Sequence, residues 1–317
     1  MNSRKSLNES SKKLIIISGP TGAGKTALSI KLAKDIGGSI ISADSIQVYK
    51  KMDIGSAKIT REEMQGIPHY LIDVLEPTED FNVYTFKEMA NRAMDEIYDK
   101  GRIPIIVGGT GFYIQAVLYD IDFSDEGDGG EYRRELEQLA EEGKKDQLFE
   151  MLKEVDPASC ETIHPNNVKR VIRALEYYKL TGEKISDHNN DQRQKVSPYD
   201  YSYYVLTDER AKLYENIEKR VDIMVEAGLV NEVRQLKEMG VTRDMTSMQG
   251  LGYKEIYSYL EGEISLEEAI YLIKRDTRHF AKRQLTWFNR ESDICWLDKS
   301  KLTESQMLEM IKNNLLF

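Results

Sequence analysis

The amino-acid sequence predicts an α/β protein: a parallel sheet of the phosphate-loop NTPase type with helices on both faces, plus an inserted all-helical domain. Three observations predict it. Short apolar runs alternate with stretches of helical periodicity. The first run, "LIIIS", leads into a glycine-rich turn that fits G-x-x-x-x-G-K-[ST]. The alternation then breaks at "DFSDEGDGGE", gives way to helix-like sequence, and returns at "YSYYVL".

In chain order, Leu14–Gly19 reads as a buried strand and Lys25 to about Asp35 as a helix. "GSIISADS" (Gly38–Ser45) is a second strand ending in polar residues, and "HYLIDVL" (His69–Leu75) is a third. "YTFKEMANRAMDEIYDK" (Tyr84–Lys100) is amphipathic and helical, and "RIPIIVGGTGFY" (Arg102–Tyr113) is a strand that breaks at a glycine turn. Runs this apolar need cover on both sides, hence a parallel sheet between helices. The linker Asp122–Glu131 opens an insertion at about 125–198, with two or three helices to about Gly182. The polar stretch Glu183–Asp200 closes it and is expected to be mobile. Residues 14–124 and 199–317 form the catalytic core, mostly helical after Asp208 until a short strand at "DICWLD" (Asp293–Asp298). Residues 1–13 carry positive charge but no apolar segment, and read as a disordered tail rather than a signal peptide.

Composition narrows the function classes. In 317 residues, 40% are hydrophobic, enough for a real core, and 31% are charged, as on a soluble surface. No apolar run approaches the roughly 20 residues of a membrane helix. Cys160 and Cys295 stand far apart, which supports neither a disulfide framework nor a cysteine zinc site, so a reducing, cytoplasmic setting is expected. A monomer is expected. The net charge of −10 confines any nucleic-acid role to a local basic face.

The phosphate loop comprises Gly19, Pro20, Thr21, Gly22, Ala23, Gly24, Lys25 and Thr26. Its glycines let backbone N–H groups turn inward around an anion, and the following helix adds partial positive charge. Lys25 would neutralise phosphate oxygens, and the Thr26 hydroxyl suits a Mg²⁺ ligand. A nucleotide-binding (ATP-binding) kinase or NTPase is the default for such a loop, but the rest of the chain supports it weakly. Asp73 in "HYLIDV" is the best candidate for a Walker-B aspartate, and no arginine-finger or GTPase base motif stands out.

Further motifs follow in order: "ADSIQVYKKMDIGSAKIT" (Ala43–Thr60), "GGTGFY" (Gly108–Tyr113), "HPNNVKRVIRALE" (His164–Glu176), "GLVNEV" (Gly228–Val233), "GYKE" (Gly252–Glu255) and "TRHFAKRQLTWF" (Thr277–Phe288). From Leu14 to Phe288 this set resembles the tRNA dimethylallyltransferase family. The resemblance implies transfer of a dimethylallyl group from dimethylallyl diphosphate to the exocyclic amine of the adenosine 3′-adjacent to the anticodon. The phosphate loop would then hold the donor's diphosphate rather than ATP. Small departures, Gly22-Ala23-Gly24 in the loop and Ser56-Ala57-Lys58 further on, remove no polar group this reading needs. A nucleoside or nucleotide kinase and a non-catalytic tRNA-binding protein with a nucleotide switch remain the alternatives.

That chemistry assigns roles. Lys25, the loop N–H groups and Mg²⁺ would stabilise the leaving diphosphate. Adenine's amine is a weak nucleophile, so it needs a carboxylate to orient it and take its proton. Asp44, at a strand end on the crevice edge of the sheet, fits in type and place. By resemblance Thr110 would hold the reacting adenine. The base must leave its stack, and Ser45, Ile46 and Gln47 would meet it or its neighbours. Arg133, Arg134, and the run Lys169, Arg170, Val171, Ile172 and Arg173 are assigned to the anticodon stem-loop. Arg220, Arg278, Lys282 and Arg283 are candidates for the donor diphosphate or for RNA. Trp287 is expected to pack rather than to stack on a base.

Overall fold

The computed structural model describes residues 12–122 and 130–315. Most of the tail assigned to residues 1–13, and most of the linker assigned to Asp122–Glu131, lie outside them. In chain order the elements are β1 (Lys13–Ser18), α1 (Lys25–Ile36), β2 (Ser39–Ala43), α2 (Arg61–Met64), β3 (His69–Tyr70), α3 (Val83–Asp99), β4 (Pro104–Gly108) and α4 (Gly111–Leu118). Then come α5 (Gly130–Glu141), α6 (Lys145–Val155), α7 (Pro157–Cys160), α8 (Val168–Thr181) and α9 (Ile185–Arg193). The chain returns through β5 (Asp200–Thr207), α10 (Arg210–Glu226), α11 (Leu229–Glu238), α12 (Tyr253–Leu260), α13 (Leu266–Phe288), β6 (Ile294–Asp298) and α14 (Glu304–Leu315). Among the described residues, those of 12–118 and 198–315 make one compact unit and those of 119–197 a second.

In the first unit the strands form one wholly parallel sheet of order β3-β2-β4-β1-β5-β6. Side chains alternate across its faces. Ile15, Ile17, Ile40, Ile105, Tyr204, Leu206 and Leu297 share one cluster with Leu28 and Leu32 of α1 and Met307 and Ile311 of α14. The intervening Leu14, Ile16, Ile41, Ile106 and Val205 are equally buried, and α3 packs against β2 and β4. Burial on both faces is why these strands read as unbroken apolar runs.

The third strand is shorter than its sequence suggests. In the sheet only His69 and Tyr70 pair, with Ile40 and Ile41, and Leu75 makes an isolated parallel bridge with Tyr49. Leu71 and Asp73 then take left-handed backbone angles (φ 61° and 55°), which no strand continues. Asp73 therefore ends no strand. Its half-exposed carboxylate pairs at 2.6 Å with Lys58, so it is not a Walker-B aspartate.

The second unit is helical, with α5, α6 and α8 closing on Leu136, Leu148, Leu152, Val171, Ile172 and Leu175. The stretch expected to be mobile contains α9. Its physical reason is Asp156, fully buried, which accepts from the N–H and hydroxyl of Ser159 (3.1 and 2.6 Å) and of Ser186 (3.0 and 2.6 Å). One carboxylate thus caps α7 and satisfies the first turn of α9. Burial alone would raise its pKa, but these four bonds outweigh that and hold it below the usual aspartate value. A depressed folded pKa contributes stability above the unfolded value, about 3.9, that is lost as pH falls through the folded one. Asp156→Ala should therefore destabilise the second unit by about 2–4 kcal/mol near neutral pH. In urea unfolding the gap between variant and parent should narrow below about pH 4. A pH-independent gap would mean that packing, not charge, is what the alanine removes.

Candidate active site

The site follows from strand register. Ser18 of β1 lies beside Gly108 of β4, and Gly108 beside Ala43 of β2. Whatever follows each strand must then emerge together: the phosphate loop at Gly19, Asp44, and the turn Gly109–Thr110. The Ser18 hydroxyl donates to the Gly108 carbonyl at 2.7 Å and ties two of these ends. Gly108 admits no side chain, since a Cβ there would lie 2.3 Å from the Ala43 carbonyl oxygen. Gly19, at φ 139°, faces the same limit 2.4 Å from the Leu206 carbonyl oxygen.

A cavity of about 750 Å³ opens at this edge, within the range of small-ligand sites. Thr21, Gly22, Gly24, Lys25 and Thr26 line it, whereas Ala23 is fully buried in the core. The Lys25 ammonium donates to the carbonyls of Gly19 and Pro20, both at 2.9 Å. Burial, then the charge of nearby Arg220, lower its pKa to about 8, against a smaller opposing pull from Asp44. Arg220, on α10, donates to the Thr21 hydroxyl at 3.2 Å, and Asn216 donates to the Gly22 carbonyl at 3.2 Å. Two cations thus converge on one loop.

Asp44, Ser45, Ile46, Gln47 and Thr110 line the same cavity. Asp44 Oδ1 accepts from the N–H groups of Ile46 (2.9 Å) and Gln47 (3.2 Å). Both bonds fall on one oxygen, Oδ1. The Gln47 amide is used within the protein: its Nε2 donates to the carbonyls of Ser56 and Ala57 (3.3 Å each) and its Oε1 accepts from Ser42 (3.2 Å). The Thr110 carbonyl accepts from Tyr113 and Ile114 and starts α4. Away from the polar end the walls are apolar, including Ile217, Val221 and Met224 of α10 and Ile273 and Phe280 of α13.

Gln284 was missed by sequence reasoning. Buried on α13, its Oε1 accepts from the Thr21 N–H and its Nε2 donates to the Gly109 carbonyl, both at 3.0 Å. It ties the phosphate loop to the second glycine turn. Helical spacing was the available signal: from buried Ile273, the steps to Thr277, Phe280 and Gln284 stay on one face. The same spacing sets two of the donor-or-RNA candidates apart from that cavity. Arg278 lies off that face, paired with Glu218 at 2.7 Å. Lys282 lines an outer groove of about 410 Å³ with His279, Arg283, Thr286, Trp287 and Arg290. Arg220 and Arg283 do reach the main cavity. Trp287 packs edge-on against Phe112, as expected of a packing residue.

In the helical unit Lys169, Arg170 and Arg173 are exposed along one side of α8. Val171 and Ile172, assigned to the same RNA-binding run, have their side chains in that unit's core and anchor the helix that displays the cations. Arg133 is engaged by Glu137 (3.0 Å) and by buried Glu176 (3.2 Å). Among the described residues no group of three or more His, Cys, Asp or Glu could cage a metal ion. Mg²⁺ needs no such cage where a diphosphate and water supply most of its oxygens, and the Thr26 hydroxyl at the cavity wall fits that role. No described helix is long and apolar enough to cross a membrane.

A sequence profile described as "IPP transferase" matches residues 47–291. The chain is 62% identical over 301 residues to a tRNA dimethylallyltransferase of Lachnoclostridium phytofermentans, covering 94% of this chain and 96% of that one. Among solved structures it resembles the full-length tRNA isopentenylpyrophosphate transferase of Bacillus halodurans (44% identity, TM-score 0.73, 96% of each chain). It also resembles a eukaryotic dimethylallyltransferase acting on tRNA (33% identity, TM-score 0.83, 96% of this chain and 80% of that one).

The lowered pKa of Lys25 has a measurable result. Its charge is present below about pH 8 and lost above it, and a bound anion must raise that pKa again. Inorganic diphosphate should therefore bind more weakly as pH rises from about 7 to about 9.5, with proton uptake by the protein near the middle of that range. Lys25→Arg stays charged and should flatten both effects. Calorimetry in buffers of different ionisation enthalpy reads the uptake, with the arginine variant subtracting diphosphate's own titration. Equal uptake by the two proteins would mean that Lys25 is already charged throughout.

Proposed function

The chain belongs to the IPP transferase family and transfers a dimethylallyl group to tRNA; we propose that the acceptor is the exocyclic amine of the adenosine 3′-adjacent to the anticodon, and that the transfer runs in the crevice at the ends of β1, β2 and β4. The observation that carries this reading is the register of those strands. It brings the ends that carry the glycine-rich loop and Asp44 to the wall of a single cavity, which Arg220 of α10 also lines.

In this reading the cradle of Gly19–Thr26 takes the diphosphate of dimethylallyl diphosphate, with Lys25 and Arg220 against its oxygens and the C₅ chain toward the apolar walls. Mg²⁺ held through Thr26 would neutralise part of the charge on the leaving group. Asp44 Oδ2 accepts a hydrogen bond from the adenine amine and aligns its nitrogen with C1 of the donor. The new N–C1 bond forms as the C1–O bond breaks, diphosphate leaves with the bonding pair, and the amine proton passes to Asp44. Thr110 faces the same base. Positive charge developing on the allyl unit is sheltered by apolar and aromatic groups such as Phe280. No step uses a γ-phosphate, so ATP at the loop would only compete.

The adenine must be unstacked to reach this depth, which an unpaired anticodon loop permits. Lys169, Arg170 and Arg173 on α8, and the cationic groove around Trp287, are the surfaces proposed to hold the stem-loop. A cytoplasmic monomer completes the reading.

The test is a single-turnover reaction of unmodified tRNA with dimethylallyl diphosphate in nucleotide-free buffer, followed by nucleoside mass analysis. Asp44→Asn keeps Oδ1 as the turn acceptor, so it should retain tRNA affinity while the chemical step falls by about 10²–10⁴-fold. A rate near that of the parent removes Asp44 as the base, and strict dependence on ATP with ADP release restores a kinase-like reading. Neutralising Lys169, Arg170 and Arg173 together should weaken tRNA binding and lower its salt slope by about 2–3, leaving donor affinity alone. An unchanged slope would reduce the patch to a solvated face.

A further inference from the structure

Two motifs, "GLVNEV" and "GYKE", play no part in the chemistry above, and they meet at one buried carboxylate. Glu232, on α11, is 9% exposed. Its Oε2 accepts from the N–H groups of Asp53 (2.9 Å) and Ile54 (2.8 Å), and its Oε1 from the Gly55 N–H (3.0 Å) and the Tyr253 hydroxyl (2.8 Å). Three consecutive backbone N–H groups turned on one anion form a nest, here filled from within the protein. Gly55 also lies flat on the Tyr253 ring: a Cβ at that position would be 2.6 Å from it.

The pinned segment is a wall of the cavity, for Gly55, Ser56 and Ile59 line it. Its Ser56 and Ala57 carbonyls hold the Gln47 amide, and the Gln47 N–H holds Asp44 Oδ1. A continuous path of hydrogen bonds therefore runs from Glu232 through residues 53–57 and Gln47 to the carboxylate that faces the substrate. No bond in it involves Gly19–Thr26, whose ties run to Gln284, Asn216 and Arg220.

We propose that Glu232 is a positioning residue for the acceptor half of the site: by holding the 53–57 segment it sets Gln47 and Asp44 where the incoming adenine amine needs them, without a part in donor binding. This rests on the acceptor-side reading of Asp44. Small displacements of a reacting group are enough to matter, about 10²-fold for roughly 1 Å.

Glu232→Gln keeps the side-chain volume but turns an amide donor toward N–H groups that need an acceptor. In the folded variant, the affinity for dimethylallyl diphosphate without tRNA, and for tRNA without donor, should stay within about 2-fold, while the single-turnover rate falls about 10–100-fold. Tyr253→Phe keeps the ring under Gly55 and removes one of the four bonds, so it should show the same split with a loss of about 3–10-fold. A parent-like rate in folded Glu232→Gln overturns the proposal, as does a fall in donor affinity that matches the fall in rate. Should that variant not fold, Tyr253→Phe decides by the same criteria. Asp44→Asn is run alongside: a parent-like rate there sinks the base assignment itself, whereas a slow Asp44→Asn beside a parent-like Glu232→Gln sinks the role of Glu232 alone.

Discussion

The close approach of three strand ends is what the rest of the site depends on. β2, β4 and β1 run parallel and in register, so Ala43, Gly108 and Ser18 stand side by side, with backbone so near backbone at Gly108 that a methyl group could not be admitted. Parallel strands send all their exits to one edge. A glycine-rich loop with a lysine, a turn that carries a carboxylate and a turn that carries Thr110 therefore share one wall without any long loop having to bring them there. Gln284 completes the arrangement from the far end of the chain, with one amide spanning two turns.

The sheet and the glycine-rich loop after β1 were legible because their signals are local. An apolar run reports burial on both faces, and G-x-x-x-x-G-K-T reports its own backbone geometry. What was not legible depends on partners distant in sequence. Gln284 meets Thr21 across 263 positions, and Glu232 meets Asp53 across 179. Neither is marked by its neighbours as anything but a helix residue. The polar stretch after Gly182 is ordered as α9 only because Asp156 supplies an acceptor to Ser186. Val171 and Ile172 sit within a basic run, and only the helical period separates the cations that face water from the apolar pair that faces the core. His69–Leu75 has a strand's composition, yet its left-handed residues end the pairing after two positions.

Charge is used locally against the sign of the whole. The chain carries −10, yet Lys25 and Arg220 are brought together away from water, and the charge of Arg220 helps to lower the pKa of Lys25. Desolvation lowers the pKa of both groups, and nearby Asp44 offsets only part of that. Such a pair costs stability in the empty protein. A bound anion would offset that cost, as in a site organised in advance for negative charge.

The same cradle serves phosphoryl transfer in other proteins, and what surrounds it decides the outcome. Phosphoryl transfer needs an acceptor placed in line with the terminal phosphorus and a metal held at a strand-end carboxylate. Here Asp73, the residue best suited by sequence to that second role, leaves the sheet in a tight turn and is spent on Lys58. The carboxylate that does stand at the edge, Asp44, has one oxygen committed to its own turn and one left over. A single acceptor oxygen beside an apolar recess suits a neutral amine nucleophile and an alkyl electrophile better than a hydrated metal and a third phosphate. In the proposed reading, reaction type is set less by the loop than by what faces it: the apolar side chains of α10 and α13, and the segment pinned by Glu232, whose hydrogen bonds lead to Asp44.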